Sequence, residues 1–230
     1  MNGGSALAPH LDAAFAAAQA LALATLAEPA PDWPAAVAHT HVLADRAWAA
    51  AAALETDRAA CGPGCGWCCH QPVELSPVEI LSLAVTLAPS PDWRDRVAAW
   101  NGGRACPFLV EFSCSIHPLR PLKCRGLFQP DPRWCMATFA KIDPPPGGPP
   151  IRHQPLAVPR RLHEAVAAGF NLPLHAAGLD CDAYSLVPAL QAVLDHPDAL
   201  AAWARGERLF PAAAHLHRWV PPGEEAARRA

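Results

Sequence analysis

Cysteine is the residue type whose number and spacing could carry chemistry in this chain. Nine cysteines occur among 230 residues, and only Cys181 lies apart from the others. Thiolates are soft, anionic ligands that suit zinc, iron–sulfur clusters and Cu(I). Glycines at positions 62, 64 and 66 let the backbone turn sharply, so that several sulfurs can converge. The sequence therefore predicts a metal site in a loop-rich segment, with eight candidate ligands: Cys61, Cys65, Cys68, Cys69, Cys106, Cys114, Cys124 and Cys135.

Disulfide bonds are the alternative use of so many cysteines, but dense disulfides belong to small secreted domains that cannot build a core. This chain is 52% hydrophobic and long enough to bury a core without them. Its first residues, Met1 to Ser5, lack the Lys or Arg of a signal peptide, and Pro9 and Asp12 interrupt the apolar stretch that follows. We therefore expect reduced thiols, a cytoplasmic location and no membrane span.

The spacing of the cysteines bears on which metal they hold. Cys65 and Cys68 have the two-residue gap that lets both sulfurs meet one metal, but a zinc ribbon needs a second such pair, and none follows. The long, irregular gaps up to Cys135 fit an iron–sulfur or other polynuclear site better. The side chains of Cys68 and Cys69 diverge, so these two sulfurs suit different metal atoms or different clusters. An iron–sulfur cluster is favoured, zinc remains the alternative, and eight thiolates would suffice for two four-iron clusters.

The spacing of Cys61, Cys65 and Cys68 also matches the cluster motif of radical SAM enzymes. Those enzymes place the motif after the first strand of a β/α barrel, which needs many later strand–helix repeats. The chain beyond Cys135 is largely helical and broken by prolines, without βα alternation. We therefore interpret this match as coincidental.

The basic residues near the cysteines are expected to stabilise a metal centre. The formal charge is −3 and the isoelectric point is near 6.4, so no overall basic surface predicts nucleic-acid binding. Arg120 and Arg125 lie within a step or two of proline-fixed ligand turns. We predict that both contact the bound cofactor, by offsetting its negative charge and donating hydrogen bonds to sulfur. His70 and His117 are weaker ligand candidates, for which a structural role is favoured.

The elements that must position these residues are mostly helices. Apolar residues at three- and four-residue steps predict a helix over 6–27, and a second runs from Pro34 to about Arg58. Ser76 and Pro77 are a strong helix start. Two short extended segments joined by a turn are expected between Cys106 and Cys114. The fold class is therefore mainly α, a helical scaffold around a loop-rich cysteine core with at most a short hairpin.

Composition divides the chain into four parts. Residues 1–60 are an N-terminal helical segment, and residues 61–140 are the cysteine-cluster region. Residues 141–155, which include the run DPPPGGPP, are a linker. Residues 156–220 are C-terminal helices, which we expect to form one compact domain with the cluster region.

Three blocks of this segment together resemble a known family. They are CGPGCGWCC from Cys61, CPFL from Cys106, and CSIHPLRPLKCR from Cys114. In this order they resemble the YkgJ-type cysteine-cluster proteins, with the approximate pattern CxxCxxCC, CPFL and CxI[YH]xxRPxxCR. Here the first gap has three residues where two are commoner, and His117 stands where Tyr is usual. The resemblance implies zinc or iron chelation by the seven motif cysteines, to which Cys135 is added as an eighth candidate.

The sequence and the resemblance leave more than one function open. The leading hypothesis is a metal-binding protein that acts in redox chemistry, metal handling or modification of a partner protein. Because the flagellin lysine N-methylase FliB is similar to the family, a SAM-dependent lysine N-methylase is the alternative, although no recognisable SAM site is present. A purely structural zinc module is the third hypothesis.

Overall fold

The computed structural model of the chain describes residues 3–90, 92–103, 105–143, 151, 154–222 and 224. Most of the linker predicted at 141–155 lies outside the described residues. The described helices are α1 (Gly3–Ala27), α2 (Trp33–Ala51), α3 (Pro77–Leu87), α4 (Asp92–Ala98), α5 (Leu122–Arg125), α6 (Pro132–Cys135), α7 (Ala157–Ala176), α8 (Leu186–Val193) and α9 (Ala199–Ala204). A mainly α fold is confirmed.

Local capping residues explain where several helices begin. The carboxylate of Asp32 accepts a hydrogen bond from the backbone nitrogen of Ala35 (3.0 Å) at the start of α2. Asp131 does the same for α6 through the nitrogen of Arg133 (3.0 Å). Pro77 occupies the first turn of α3, where a missing N–H costs nothing. Helix α2 ends at Ala51, earlier than its sequence predicts, and a 3-10 turn at Ala52–Leu54 follows.

Two small antiparallel sheets accompany the helices. Strands β2 (Leu109–Val110) and β3 (Ser113–Cys114) form the hairpin that the sequence predicts between Cys106 and Cys114. A three-stranded sheet has the order β1 (Glu74–Leu75), β4 (Ala183–Ser185) and β5 (His215–His217). These strands have two or three residues each and pair residues far apart in sequence, so no local pattern indicated them.

One core lies where α1, α2 and α7 pack together. Helix α1 runs along α7, and its buried face consists largely of alanines, including Ala14, Ala18 and Ala22. Small residues let two helix backbones approach closely, and the approach is closest at Gly169 of α7. A Cβ atom at that position would lie 2.3 Å from the backbone oxygen of Phe15.

Helix α1 also raises the question of membrane insertion. By length and composition alone, its residues Ala6–Ala27 could cross a bilayer. A core helix with a small-residue face passes the same test, so the expected absence of a membrane span stays a prediction.

A second core anchors the cysteine-rich segment. It is formed by residues of α3, α4, α8 and the three-stranded sheet, with Trp93, Ile80 and Leu190 among its fully buried side chains. Phe108, which comes from the cysteine segment, is completely buried in this core. Cys106, Cys114 and Cys124 pack against its edge. The cysteine region is therefore fixed to the helical scaffold on one side.

Replacing Gly169 with Ala should loosen the contact between α1 and α7. Alanine gains about 1 kcal/mol in helix propensity, but the clash with a backbone oxygen forces the helices apart, and overpacking of this kind costs about 1–3 kcal/mol. We expect a net loss of stability and a lower Tm in thermal unfolding followed by circular dichroism. Gly103→Ala is the control, because its Cβ would meet only Asn101 Oδ1, at 3.7 Å. A Gly169→Ala variant as stable as the control would contradict the close packing.

Candidate metal centre

The first cysteine group lies in a tight loop that ends in a short helix. Backbone hydrogen bonds close two successive turns, from Cys65 N to Gly62 O (3.1 Å) and from Cys69 N to Gly66 O (3.1 Å). Gly64 lies inside the first turn with a positive φ of 77°, where glycine is strongly favoured. Residues Trp67–His70 then form a 3-10 helix. Four thiols are thus displayed within one compact loop.

The β2–β3 hairpin brings the second pair of cysteines to this loop. The backbone nitrogen of Cys106 donates to the oxygen of Cys69 (2.7 Å), which ties the start of the hairpin to the 3-10 helix. Cys114 lies on β3, opposite Leu109. The sulfurs of Cys106 and Cys114 accept hydrogen bonds from backbone nitrogens two residues further on, at Phe108 and Ile116. Hydrogen bonds of this kind stabilise a thiolate, and they tune sulfur ligands in metal sites.

Gly66 is the point of closest contact between loop and hairpin. A Cβ atom there would lie 2.6 Å from Leu109 Cδ1 and 2.7 Å from the backbone oxygen of Phe112. The ring of Phe112 packs edge-on against Trp67, with centroids 4.5 Å apart. The hairpin turn holds Glu111 and Phe112 at φ values of 47° and 60°, which bulky residues adopt rarely. The aromatic contact and the missing side chain at position 66 therefore fix the two cysteine-bearing elements against each other.

Helix α5 places Cys124 and is held from two sides. Glu79 of α3 accepts a hydrogen bond from the nitrogen of Leu122, the first residue of α5 (3.0 Å). Burial raises the pKa of Glu79 to about 7, while the bonds from Leu122 and Ser76 act in the opposite direction. From the other side, Asp45 of α2 forms an ion pair of 2.8 Å with Arg125.

Arg125 and Arg120 have different surroundings. The guanidinium of Arg125 donates to the backbone oxygens of Arg120 (2.7 Å, from Nε) and Pro118, so this side chain staples the turn before α5. Its donors thus meet backbone oxygens and a carboxylate, which gives Arg125 a positioning role. Arg120 faces the sulfurs instead, and it lowers the pKa values of four thiols. Its Nε is buried and has no hydrogen-bond partner in the part of the chain that the structure describes.

Gln129, which the sequence did not indicate as a site residue, connects Cys61 to the segment that carries Cys135. The backbone nitrogen of Gln129 lies 3.4 Å from Cys61 Sγ, and its oxygen accepts from Ala60 (2.8 Å). The side chain of Gln129 is 1% exposed, and neither polar atom of its amide has a partner among the described residues. Helix α6, which carries Cys135, follows directly. Because glutamine is a common surface residue, nothing local indicated that this one is buried beside a cysteine.

The thiols strongly shift one another's pKa values. Cys69 lies between Cys68 and Cys114 and hydrogen-bonds to both, which is the main reason why the pKa values of these two thiols fall below the usual range. Burial raises the pKa of Cys106 to about 11 and that of Cys135 to about 12. Burial also raises the pKa of Cys124, and neighbouring thiols raise it further. An additional cation would relieve this shared cost.

The structure brings all eight predicted ligands into one region, and it places Cys181 elsewhere. Cys181 is buried, and its thiol donates to the backbone oxygen of Asn171 (3.6 Å). His70 Nδ1 lies 3.3 Å from two oxygens of its own loop, those of Gly66 and Trp67. His117 is exposed at the end of the turn that follows Cys114.

The eight thiols suit a soft metal by their chemistry, although they do not converge closely on one position. All nine cysteines are free thiols. Across the described ranges, no three side chains of His, Cys, Asp or Glu are spaced closely enough to hold one ion. The chemistry of the group nevertheless suits iron–sulfur or zinc, because thiols cluster with backbone N–H donors and with the guanidinium of Arg120.

Replacing Gly66 with Ala should separate the loop from the hairpin and weaken metal retention. The new Cβ would push against the backbone of Phe112, so Cys65 and Cys68 would move relative to Cys106 and Cys114. We expect a lower metal content per protein, measured by inductively coupled plasma mass spectrometry, and a stability loss of about 1–3 kcal/mol. Gly62→Ala is the matched control in the same loop, since its Cβ would meet nothing within 4 Å. Equal metal content in both variants would show that the contact does not position the ligands.

Comparison with known proteins finds a family model that matches this segment. Residues 60–136, about a third of the chain, match the family model "CxxCxxCC: Putative zinc- or iron-chelating domain". No curated protein and no solved structure matches the chain. The matched range begins one residue before Cys61 and ends one residue after Cys135, so it spans the whole set of clustered thiols. The cysteine-bearing segment of this protein is therefore similar to the CxxCxxCC domain, whose description is zinc or iron chelation.

Proposed function

We propose that the cysteine-cluster segment holds an iron–sulfur centre, and that the protein uses it in redox chemistry, metal handling or modification of a partner protein. One observation carries the proposal: eight free thiols lie in one region, and several of them perturb one another. A structural zinc ion takes four ligands, so eight thiols exceed the need of a single zinc site. Iron–sulfur clusters also take their protein ligands as cysteine thiolates.

Arg120 supports an anionic centre at this place. Its charge acts on Cys61, Cys68, Cys114 and Cys124. A buried guanidinium donor without a partner costs free energy unless an acceptor reaches it. Thiolates and cluster sulfides are acceptors of the required charge, and they would give Nε a partner.

The protein chain would bind the centre, shield it on one side and leave it accessible on another. When bound, an iron–sulfur cluster supplies one-electron chemistry. Phe108 is buried in the second core and Trp67 packs against Phe112, whereas Cys61 is exposed. The centre would therefore be reached by a partner from the side of Cys61. Reduced thiols in this number also fit the proposed cytoplasmic location.

A second candidate function is chemistry on a small molecule, such as the methyl transfer that the similarity to FliB implies. The observation that favours it is a cavity of about 210 Å³ beside the centre. Cys106 and His70 line one side of this cavity, and Ser185–Val187 line the other. Heat released on titration with S-adenosylmethionine would distinguish this function from the first.

Purification without oxygen tests the proposed centre. We expect iron and acid-labile sulfide in the protein, with broad absorbance near about 400 nm. Removing the metal with a strong chelator should lower the Tm and expose thiols to a thiol reagent, because metal binding and ordering of the loop are coupled. If the protein contains zinc and no sulfide, the centre is a zinc site and not an iron–sulfur cluster. An apoprotein that melts like the metal-loaded protein would show that the site is peripheral to the fold.

Replacing Arg120 with Lys should weaken the centre although the charge is kept. Lysine cannot reproduce the planar set of donors that arginine presents, and loss of a hydrogen-bonding neighbour of this kind typically costs about 10–100-fold in metal affinity. We expect faster release of metal to a chelator, followed by absorbance without oxygen. Lys123→Ala is the control, because this side chain is 56% exposed and lies 3.9 Å from Glu74. If Arg120→Lys releases its metal at the rate of the parent protein, Arg120 does not support the centre and is a surface charge or a substrate contact.

A further inference from the structure

A second cavity is bounded by α5, α7 and the three-stranded sheet. Its volume is about 250 Å³, against about 210 Å³ for the cavity beside Cys106. Among the described residues that line it, none is one of the eight clustered cysteines. A cavity of about 150 Å³ is known to hold benzene, so this one has room for a whole small molecule of about ten non-hydrogen atoms. The cavity is therefore a candidate binding site separate from the metal centre.

One face of α7 forms a wall of this cavity. The residues of that face recur every three or four positions, as expected for one side of a helix: Arg160, His163, Glu164, Ala167, Ala168 and Asn171. Asn171 is only 7% exposed, and its side-chain amide has no hydrogen-bond partner within the ranges that the structure describes. A buried amide left in this state costs free energy unless a ligand or a water reaches it. The cavity thus offers an unused acceptor and an unused donor group.

Glu79 places a carboxylate at the same cavity. Its oxygens accept hydrogen bonds from the nitrogen of Leu122 (3.0 Å) and from the hydroxyl of Ser76 (3.5 Å), and both of these residues also line the cavity. A carboxylate can accept about four hydrogen bonds, so it has capacity left for a ligand. Within the described residues, no Lys, Arg or His forms an ion pair with it, and burial makes its charge costly. A cation in the cavity would offset that cost.

The Lys, Arg and Glu side chains at the exposed end of the cavity are paired with one another. Lys123 lies 3.9 Å from Glu74, and Arg160 lies 3.0 Å from Glu164. All four side chains are exposed, and their charges cancel. The exposed end therefore favours neither cations nor anions, and the carboxylate of Glu79 decides the charge of the ligand.

The remaining walls are mainly apolar, and they include Leu75, Leu122, Leu127, Ala167, Ala168 and Trp219. We propose that this cavity binds a free alkylammonium compound, whose ammonium group is hydrogen-bonded to Glu79 and Asn171 and whose alkyl part contacts the apolar walls. An ammonium group supplies three donors and the missing positive charge. Burial of the alkyl part adds the hydrophobic effect. This site goes beyond the proposed function, because it takes a different ligand at different residues.

Calorimetric titration of the full chain, purified without oxygen, tests this site. The probe is n-butylammonium, and 1-butanol and butyrate are titrated in parallel as neutral and anionic analogues of similar size. Physiological salt screens binding to exposed surface charges. We expect n-butylammonium to bind about 10–100-fold more tightly than 1-butanol, because only the ammonium group brings a charge to Glu79. Butyrate should bind most weakly of the three, since the carboxylate repels it.

Three variants locate the bound probe. Glu79→Gln removes the charge but keeps an oxygen that can accept from Leu122, so it should weaken n-butylammonium binding about 10–100-fold and leave 1-butanol binding unchanged. Glu164→Gln is the matched control, because it makes the same change at an exposed, paired carboxylate, and it should bind the probe like the parent protein. Ala168→Leu fills the cavity from α7 and should abolish binding of both probes.

Several results would overturn the site. They are binding of n-butylammonium no tighter than that of 1-butanol, parent-like affinity in Glu79→Gln, and parent-like affinity in Ala168→Leu. Circular dichroism shows whether each variant is folded. If Glu79→Gln unfolds, Asn171→Leu takes its place and should weaken n-butylammonium binding about 10-fold, and an unchanged affinity there would equally contradict the site. Metal content is measured on the same preparations, so failure of the metal centre and failure of the amine site are told apart.

Discussion

Repulsion between thiolates limits how eight neighbouring cysteines can be used. Each deprotonated sulfur makes the next deprotonation harder, and burial adds to the cost for Cys106, Cys124 and Cys135. Arg120 brings one positive charge against four of the sulfurs. A bound cation removes the repulsion at its source, because the same sulfurs that repel one another all attract it. A metal held by these sulfurs would therefore stabilise the compact packing of this segment.

The scaffold brings the sulfurs near one another, and a bound metal would draw them together. Gly66 and the Trp67–Phe112 contact fix the loop against the hairpin. Arg125 and Glu79 fix the turn and helix that carry Cys124. The segment is attached to the helices through Phe108 and these polar contacts. Metal binding can therefore tighten the loop without rearranging the helical cores.

Much of this arrangement follows from local sequence. Asp32 and Pro34 fix the start of α2, and Pro77 fixes that of α3. The cysteine spacing alone places all eight candidate ligands in one segment. The hairpin between Cys106 and Cys114 is confirmed for the same reason, since its strands are close in sequence. The three-stranded sheet could not be predicted in this way, because Leu75 pairs with Tyr184 across more than a hundred residues. The burial of Gln129 and the staple made by Arg125 likewise depend on contacts that form only in the folded chain.

X-ray absorption at the metal edge of protein purified without oxygen tests the central claim most directly. The energy of the edge identifies the metal, and the fine structure identifies the atoms bound to it. Thiolate ligation by this segment predicts a first shell of sulfur, at about 2.3 Å for zinc or a similar distance for iron. A first shell dominated by oxygen or nitrogen would show that the clustered cysteines do not hold the metal, and the account would fail.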